Sequence, residues 1–389
     1  MNVPSNWSIL PFLKAFRDLT AGNRRVDQRD YRQTGALPVI DQGQDQIAGY
    51  VDDVTLACKA PLPCLVFGDH TKAVKYVEHP FAIGAQGVRI LLPFPGLDTR
   101  FGFYALRNIR FPPGTGYSRH SRFLKRASIT VPPLPEQRRI TAILDKADAI
   151  RRKRQESLRL LDDFLRSAFV QIFGDPIRNE KGWMRASASS VIASIEAGSS
   201  VKGEERKQGH GEWAVLKISA VTSGWYLPAE RKVVAAPPHD PVVPKAGDLL
   251  FSRANTRELV AATCLVDRDE ERVFLPDKLW LIRPDAALAT VEYLRFLLAE
   301  PRFRHTLTRH ATGTSGSMLN VSQERVLRLD LPLPPLQRQR HFSSLVRKVF
   351  ETRGRVSAAT DRAAELFDSL AQRAFGGSPD AAVAEADLR

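Results

Sequence analysis

The chain has 389 residues, too many for one ordinary hydrophobic core, so length alone favours two or three domains. Its 57 lysines and arginines against 43 aspartates and glutamates leave a formal charge of +14. Such a balance suits a polyanionic partner, because cations beside phosphates release condensed counterions. Acidic lipid surfaces attract basic proteins too. Yet no stretch approaches the ~18 apolar residues of a membrane span, and residues 1–20 lack a signal-peptide apolar run. Cys58, Cys64 and Cys264 form no CxxC pair and have no histidines at metal-ligand spacing, so neither a zinc site nor a disulfide framework is supported. Three small buried hydrophobes in a reducing compartment are expected, and the cytoplasm is the expected location.

In chain order, β-rich runs come first, at 37–40, 64–67 and 88–92, separated by Gly, Asp and Pro turn signals. Next comes Pro132-Pro133-Leu134-Pro135-Glu136-Gln137-Arg138-Arg139-Ile140, then a stretch free of proline and nearly free of glycine up to Phe173-Gly174. That punctuation predicts one long helix. Strand-like runs return at 214–218, 248–251, 263–266 and 279–282, with a helix predicted over 291–298. The chain then repeats itself. Pro334-Pro335-Leu336-Gln337-Arg338-Gln339-Arg340-His341-Phe342 opens a second proline-free stretch closing at Phe375-Gly376, and an offset of 202 residues carries Gly174 onto Gly376 without a gap.

The second stretch carries an apolar seam at Phe342, Val349, Val356, Ala363 and Leu370, with a second row predicted three residues on at Leu345, Ala359 and Leu366. The first has Ile140, Ala147, Leu161 and Ala168, with Ile143, Ile150 and Phe164, interrupted by Arg154 and Ser157. Neither stripe would be stable alone in water, so the two helices are expected to pair with each other; packing of each on its own domain is the alternative. The mixed segments ahead of the helices differ far more than the helices do, as expected if the helices are scaffold and the domains carry different preferences.

Catalytic signatures are missing. No Asn is followed by the Pro-Pro-aromatic run that holds a flipped base amine, no Gly-rich cofactor loop follows a strand, and no GxxxxGK[ST] loop or GxSxG elbow occurs. Glu205-Arg206-Lys207 lacks an upstream Pro-Asp partner and reads as a solvated charge run. The expected activity is binding, with chemistry left to partners.

The repeated helix opening at residues 134–140 resembles the family-shared regions of the specificity subunits of type I restriction-modification systems. In the first domain 37–44 (LPVIDQGQ), 47–50 (IAGY), 66–71 (VFGDHT) and 116–120 (GYSRH) strengthen the resemblance; in the second, 247–256 (GDLLFSRANT) and 313–320 (GTSGSMLN) do so. Arg338 and His341 depart from the acidic and basic residues at the matching Glu136 and Arg139. The resemblance implies an α+β chain: two mixed α/β target-recognition domains separated by two long antiparallel pairing helices in a pseudo-twofold repeat. The expected divisions are 1–135 and 176–335 for the recognition domains, 136–175 and 336–377 for the spacer helices, and 378–389 for a disordered tail. It further implies a non-catalytic subunit that reads a bipartite double-stranded DNA site. Two methyltransferase (modification) subunits would methylate adenine and a restriction/translocase subunit would cleave, with S-adenosylmethionine, ATP and Mg held by those partners and no cofactor in this chain. A helix of about 38 residues is about 57 Å long, which suits two half-sites about one and a half duplex turns apart. A stand-alone basic DNA-binding or architectural protein with a coiled-coil spacer is the alternative.

Bases are read by side chains with reach and hydrogen-bonding capacity, chiefly Arg, Asn, Gln, Ser and Thr, and glycine-bearing loops let backbone approach phosphates. The candidates are Gln44, His70, Thr71, Lys72, Arg119 and Lys125 in the first domain, and Arg253, Asn255, Thr256, Arg257, Thr314, Ser315 and Asn320 in the second. Each has a plainer reading as a turn-stabilising or surface group. His70 and Asn255 are the most open to it, since both can cap local backbone.

Overall fold

The computed structural model describes residues 6–112, 118–308 and 319–375. The two long helices lie where the proline clusters predict them, Leu134–Phe173 and Leu336–Phe375, with 40 residues each. The first stops because Gly174 turns left-handed at φ 78°, with its N–H donating to Val170 O at 2.8 Å. The last carbonyls are then satisfied by side chains: Trp183 Nε1 donates to Phe173 O at 2.7 Å and Lys181 Nζ to Gln171 O at 2.6 Å. Among the described residues no helix is long and apolar enough to cross a membrane.

The chain divides into two units, Met1–Gln155 with Ala358–Arg389, and Glu156–Ser357. Each unit therefore holds the start of one long helix and the end of the other, so within each the helices meet in opposite directions.

Unit one contains β1 (Ser8–Pro11), β2 (Phe16–Asp18), β3 (Leu37–Ile40), β4 (Gly49–Val51), β5 (Cys64–Gly68), β6 (Val74–Val77), β7 (Ala82–Ile83), β8 (Val88–Pro93) and β9 (Ser128–Val131). They form a four-stranded sheet in the order β2-β8-β5-β6, a three-stranded sheet β4-β3-β7 and the pair β1-β9. The runs are apolar throughout because both faces of the larger sheet are covered. Leu65 and Phe67 point into a cluster with Phe101 and Tyr104 of the helix Thr99–Arg107, whereas Cys64 and Val66 point into one with Ile40 and Ile83 of the smaller sheet. Burial pushes the Cys64 thiol up to about 12, so it acts as a small core hydrophobe.

Unit two contains β10 (Met184–Ser187), β11 (Ile192–Ala197), β12 (Trp213–Leu216), β13 (Arg231–Val234), β14 (Leu249–Ser252), β15 (Ala254–Asn255), β16 (Thr263–Leu265), β17 (Val273–Phe274), β18 (Leu279–Pro284), β19 (Leu319–Asn320) and β20 (Asp330–Leu333). Its sheets run β11-β18-β14-β16 and β13-β12-β17, with the pairs β10-β20 and β15-β19. Apart from β15-β19 this is the plan of unit one. In both, the three-stranded sheet has one antiparallel and one parallel pairing, β3 with β4 and β7, β12 with β13 and β17. The sequences of the two domains conceal this likeness. Apolar alternation is conserved in kind, Leu249 and Phe251 on one side and Leu250 on the other, but the loops between strands differ in length and chemistry.

One residue fixes how each long helix begins. Gln137 is fully buried; its Oε1 accepts from Asp98 N at 2.8 Å and its Nε2 donates to Gly96 O and Pro132 O at 2.9 and 2.8 Å. Gln339, also fully buried, repeats the pattern with Thr290 N at 2.9 Å and Leu288 O and Pro334 O at 3.1 and 2.8 Å. Asp98 and Thr290 are in turn the N-caps of the helices Thr99–Arg107 and Val291–Ala299, accepting from Phe101 N and Tyr293 N. The repeated glutamine thus docks the start of each long helix onto a capped helix of its own unit.

The helices pair within each unit, but along a different stripe from the one predicted. In unit one Ile140 and Leu144 share a cluster with Ala371 and Phe375, and the Arg154 guanidinium donates to Ala359 O. In unit two Phe342 lies 5.6 and 5.5 Å from Phe169 and Phe173. The second row is four residues on, not three: Leu144, Leu165 and Val346 are 1% exposed, while Ile143, Ile150, Phe164 and Leu366 are 38 to 58% exposed. The apolar pattern misleads because the true row includes Arg151 and Arg353. Arg353 is tolerated inside since its guanidinium stacks 3.8 Å from the Trp225 ring centre and donates to Asp162 Oδ1 at 2.9 Å.

Replacing a fully buried glutamine strands its backbone partners, at about 1–3 kcal/mol for each group left unsatisfied. Gln339→Ala should therefore lower the melting temperature by several degrees, whereas Gln337→Ala, on the exposed side of the same turn, should change stability by less than about 0.5 kcal/mol. Equal melting curves for the two variants, by circular dichroism, would contradict the docking role.

Candidate nucleic-acid interface

In unit one three of the proposed contacts sit on the connection between β5 and β6. Gly68 closes β5 because any side chain there would strike its neighbours: an added Cβ would lie 2.3 Å from Thr71 Oγ1 and 2.8 Å from Gln42 O. The Thr71 hydroxyl donates to Gln42 O and accepts from Ala73 N at 3.3 Å, and His70 N donates to Gln42 Oε1 at 3.3 Å. His70 is half-buried. Lys72 is exposed and left-handed at φ 62°, with Nζ 5.3 Å from the Phe111 ring centre. Its ammonium is thus drawn over an aromatic face.

Asp69, inside the same turn, ties in a further segment. Its carboxylate accepts from Ser121 N at 2.7 Å and Ser121 Oγ at 3.1 Å, and its carbonyl accepts from His120 N at 2.8 Å. Arg119, exposed, immediately precedes that tie, and Lys125, exposed, follows the short helix Ser121–Leu124. Gln44 is exposed on the loop after β3, whose turn is held by Gly43 N donating to Asp41 Oδ1 at 2.8 Å. Lys75 Nζ lies 3.6 Å from the same oxygen with its side chain 3% exposed; burial pushes its pKa down and Asp41 partly restores it. The structure therefore brings His70, Thr71, Lys72 and Arg119 onto one set of interlocked loops, with Gln44 on the adjoining loop.

Sequence reading missed Gln42, Asp69 and Lys75, which hold those loops. A signal existed for two of them, since Gln42 and Asp69 lie within the runs LPVIDQGQ and VFGDHT. Lys75 gave none: a lysine in an alternating strand reads as solvent-facing.

In unit two Arg253, Asn255 and Asn320 come together through the β15-β19 pair, which sets Ala254 opposite Asn320 and Asn255 opposite Leu319. Arg253 does not project freely. Its Nε donates to Asp277 O at 2.8 Å and its Nη2 lies 3.6 Å from Asp277 Oδ2, leaving the side chain 33% exposed. Asn255 Oδ1 accepts from Thr256 N at 2.8 Å, the local capping that its residue type permits. Thr256 and Arg257 are exposed. Thr314 and Ser315 lie outside the described residues, as do Gly116 and Tyr117 of the GYSRH run.

These loops place donors of several kinds, ammonium, guanidinium, amide and hydroxyl, on strand ends that are held by buried sheets, an arrangement suited to phosphate oxygens and base edges.

No protein-family model matches the chain. The type I restriction enzyme EcoEI specificity subunit of Escherichia coli is 26% identical over 201 residues, a match covering 50% of this chain and 34% of that protein. The match thus spans about a third of the curated relative. The crystal structure of a type I restriction-modification system S subunit from M. genitalium superposes with a TM-score of 0.59 at 14% identity, covering 98% of each chain. The fold is that of a type I S subunit. In sequence the chain is similar to a type I specificity subunit.

Asp69 is the hub of the unit-one loops, and removing its carboxylate costs two hydrogen bonds at about 1–3 kcal/mol together. Asp69→Ala should accelerate amide exchange at His120 and Ser121 at least tenfold while leaving β5 and β8 protected. Unchanged exchange at Ser121 would show that the loops are held by other means.

Proposed function

We propose that this chain reads a bipartite double-stranded DNA site as the specificity subunit of a type I restriction-modification complex, directing adenine methylation and cleavage performed by partners. The observation that carries the reading is the duplication: one strand plan occurs twice, each copy followed by a long helix docked by the same glutamine. Two domains of one plan but different loops are what recognition of two different half-sites requires. The domain boundaries proposed are 1–135 and 176–335, with spacer helices at 136–175 and 336–377. The charge of +14 supplies the counterion-release contribution to duplex affinity. Two modification subunits and a restriction/translocase subunit are the proposed partners, and S-adenosylmethionine, ATP and Mg belong to them. The chain itself catalyses nothing in this reading.

Within that reading Gln44, His70, Thr71, Lys72, Arg119 and Lys125 serve one half-site; Arg253, Asn255, Thr256, Arg257, Thr314, Ser315 and Asn320 serve the other. Arg253, braced by Asp277, offers an edge of its guanidinium at fixed orientation, and Asn255 offers its amide N–H groups. Reconstituted with modification subunits, the chain should confer methylation of one defined motif, and purified alone it should transfer no methyl group. Arg253→Ala and Asn255→Ala should each cost about 1–3 kcal/mol on the cognate site and relax discrimination at one base pair. Methylation rates on all single-base variants at two salt concentrations check this. Equal loss on every variant, with a salt slope lowered by about one unit, would reassign both residues to phosphate contact. Methyl transfer by the chain alone would defeat the reading.

A further inference from the structure

Unit two holds a cavity of about 480 Å³ that is lined in part by the long helix Leu134–Phe173 and reaches Arg257 and Glu258, which follow β15. Its wall carries four arginines, Arg166, Arg257, Arg295 and Arg304, with His305 beside them. Two carboxylates, Glu258 and Glu300, are present, and Glu300 Oε2 is occupied by Phe303 N at 2.9 Å. Among the described residues none of the four guanidinium groups has a carboxylate within 4.0 Å. The rest of the lining includes an apolar floor from Phe169, Val170 and Phe296.

Arg295 is the unusual member. It is 8% exposed, its Nη2 donates to Gly224 O at 2.5 Å, its guanidinium lies 4.2 Å from the Phe296 ring centre, and its Nε has no hydrogen-bond partner. A buried charge without a counter-ion is costly, and a merely structural guanidinium would be expected to have its donors filled. Burial lowers its pKa to about 10, which leaves it cationic at neutral pH. A planar fork of donors beside further arginines matches the oxygens of a phosphate group in geometry and charge. The volume suits a ligand of nucleotide size, with an aromatic and aliphatic floor on which its uncharged part can rest.

We propose that this cavity is a binding site for a small phosphate ester of nucleoside-phosphate class, its phosphate held by Arg295 with Arg166, and its apolar part against Phe169 and Phe296. Of the lining residues Arg257 alone is also among those proposed for DNA contact, and it is given no part in holding the phosphate. Duplex DNA presents phosphates on a wide convex surface and cannot bring one to a guanidinium that is nine-tenths buried without deforming the wall. The proposal does not depend on which DNA sequence the chain reads.

The test is calorimetric titration of the full chain, at fixed ionic strength, with inorganic phosphate, with pyrophosphate and with a nucleoside diphosphate, alongside a short duplex. Saturable one-to-one binding is expected, at least tenfold tighter for the nucleoside diphosphate than for inorganic phosphate. Arg295→Met should weaken it at least tenfold without lowering the ligand-free melting temperature, because an apolar side chain of similar length relieves the buried charge. Should that variant fail to fold, Arg166→Ala, at an exposed helix position, should still weaken binding severalfold. Absence of binding by all three anions, equal binding by wild type and variants, or suppression by these substitutions of duplex binding alone would each overturn the proposal.

Discussion

Everything in this molecule depends on how a long helix is joined to a small mixed domain, and the joint is a buried glutamine. A 40-residue helix leaving a domain after two prolines could set off at many angles. Gln137 removes that freedom by spending its amide on three backbone groups: the N–H of an N-cap residue, a carbonyl in the loop before that cap, and the proline carbonyl five residues before it. Gln339 does the same with a threonine cap in place of an aspartate. Because the amide is both donor and acceptor and is fully buried, neither a glutamate nor an apolar residue of the same size could fill all three partners. The same three-bond joint in both copies is the physical content of the sequence repeat.

Much of this was legible. Proline clusters and the closing Phe-Gly mark both long helices to within a residue or two, because the signals that start and stop a helix are local. Strands such as Leu37–Ile40 and the run around Leu249–Ser252 were legible because they are buried on both faces and so read as unbroken apolar runs. Short edge strands such as Gly49–Val51 and Arg231–Val234 were not, since two residues in each are partly exposed. The helix seam was read out of phase for a related reason. Apolarity rewards Ile143 and Ile150, which face outward, and penalises Arg353, which a tertiary partner, Trp225, admits to the interior.

The loops of the candidate interface show the same boundary between local and tertiary information. Residue type alone marks His70, Thr71 and Arg253 as groups able to meet DNA. That Thr71 is locked to Gln42, that Asp69 laces the turn to Ser121, and that Asp277 braces Arg253 are contacts between segments many residues apart. No pattern within one segment reports them. The likeness of the two domains belongs here too: it resides in strand order and pairing sense, which different side chains can support equally well.

The central claim is that each copy of the strand plan owns one half of the target. Exchanging residues 1–131 for the matching segment of a relative, reconstituting the complex with its modification subunits, and sequencing the methylated DNA tests it directly. The account predicts that one half of the methylated motif changes to the donor's while the other half and the unspecified gap stay as they were. A motif changed in both halves, or changed in neither, would contradict it.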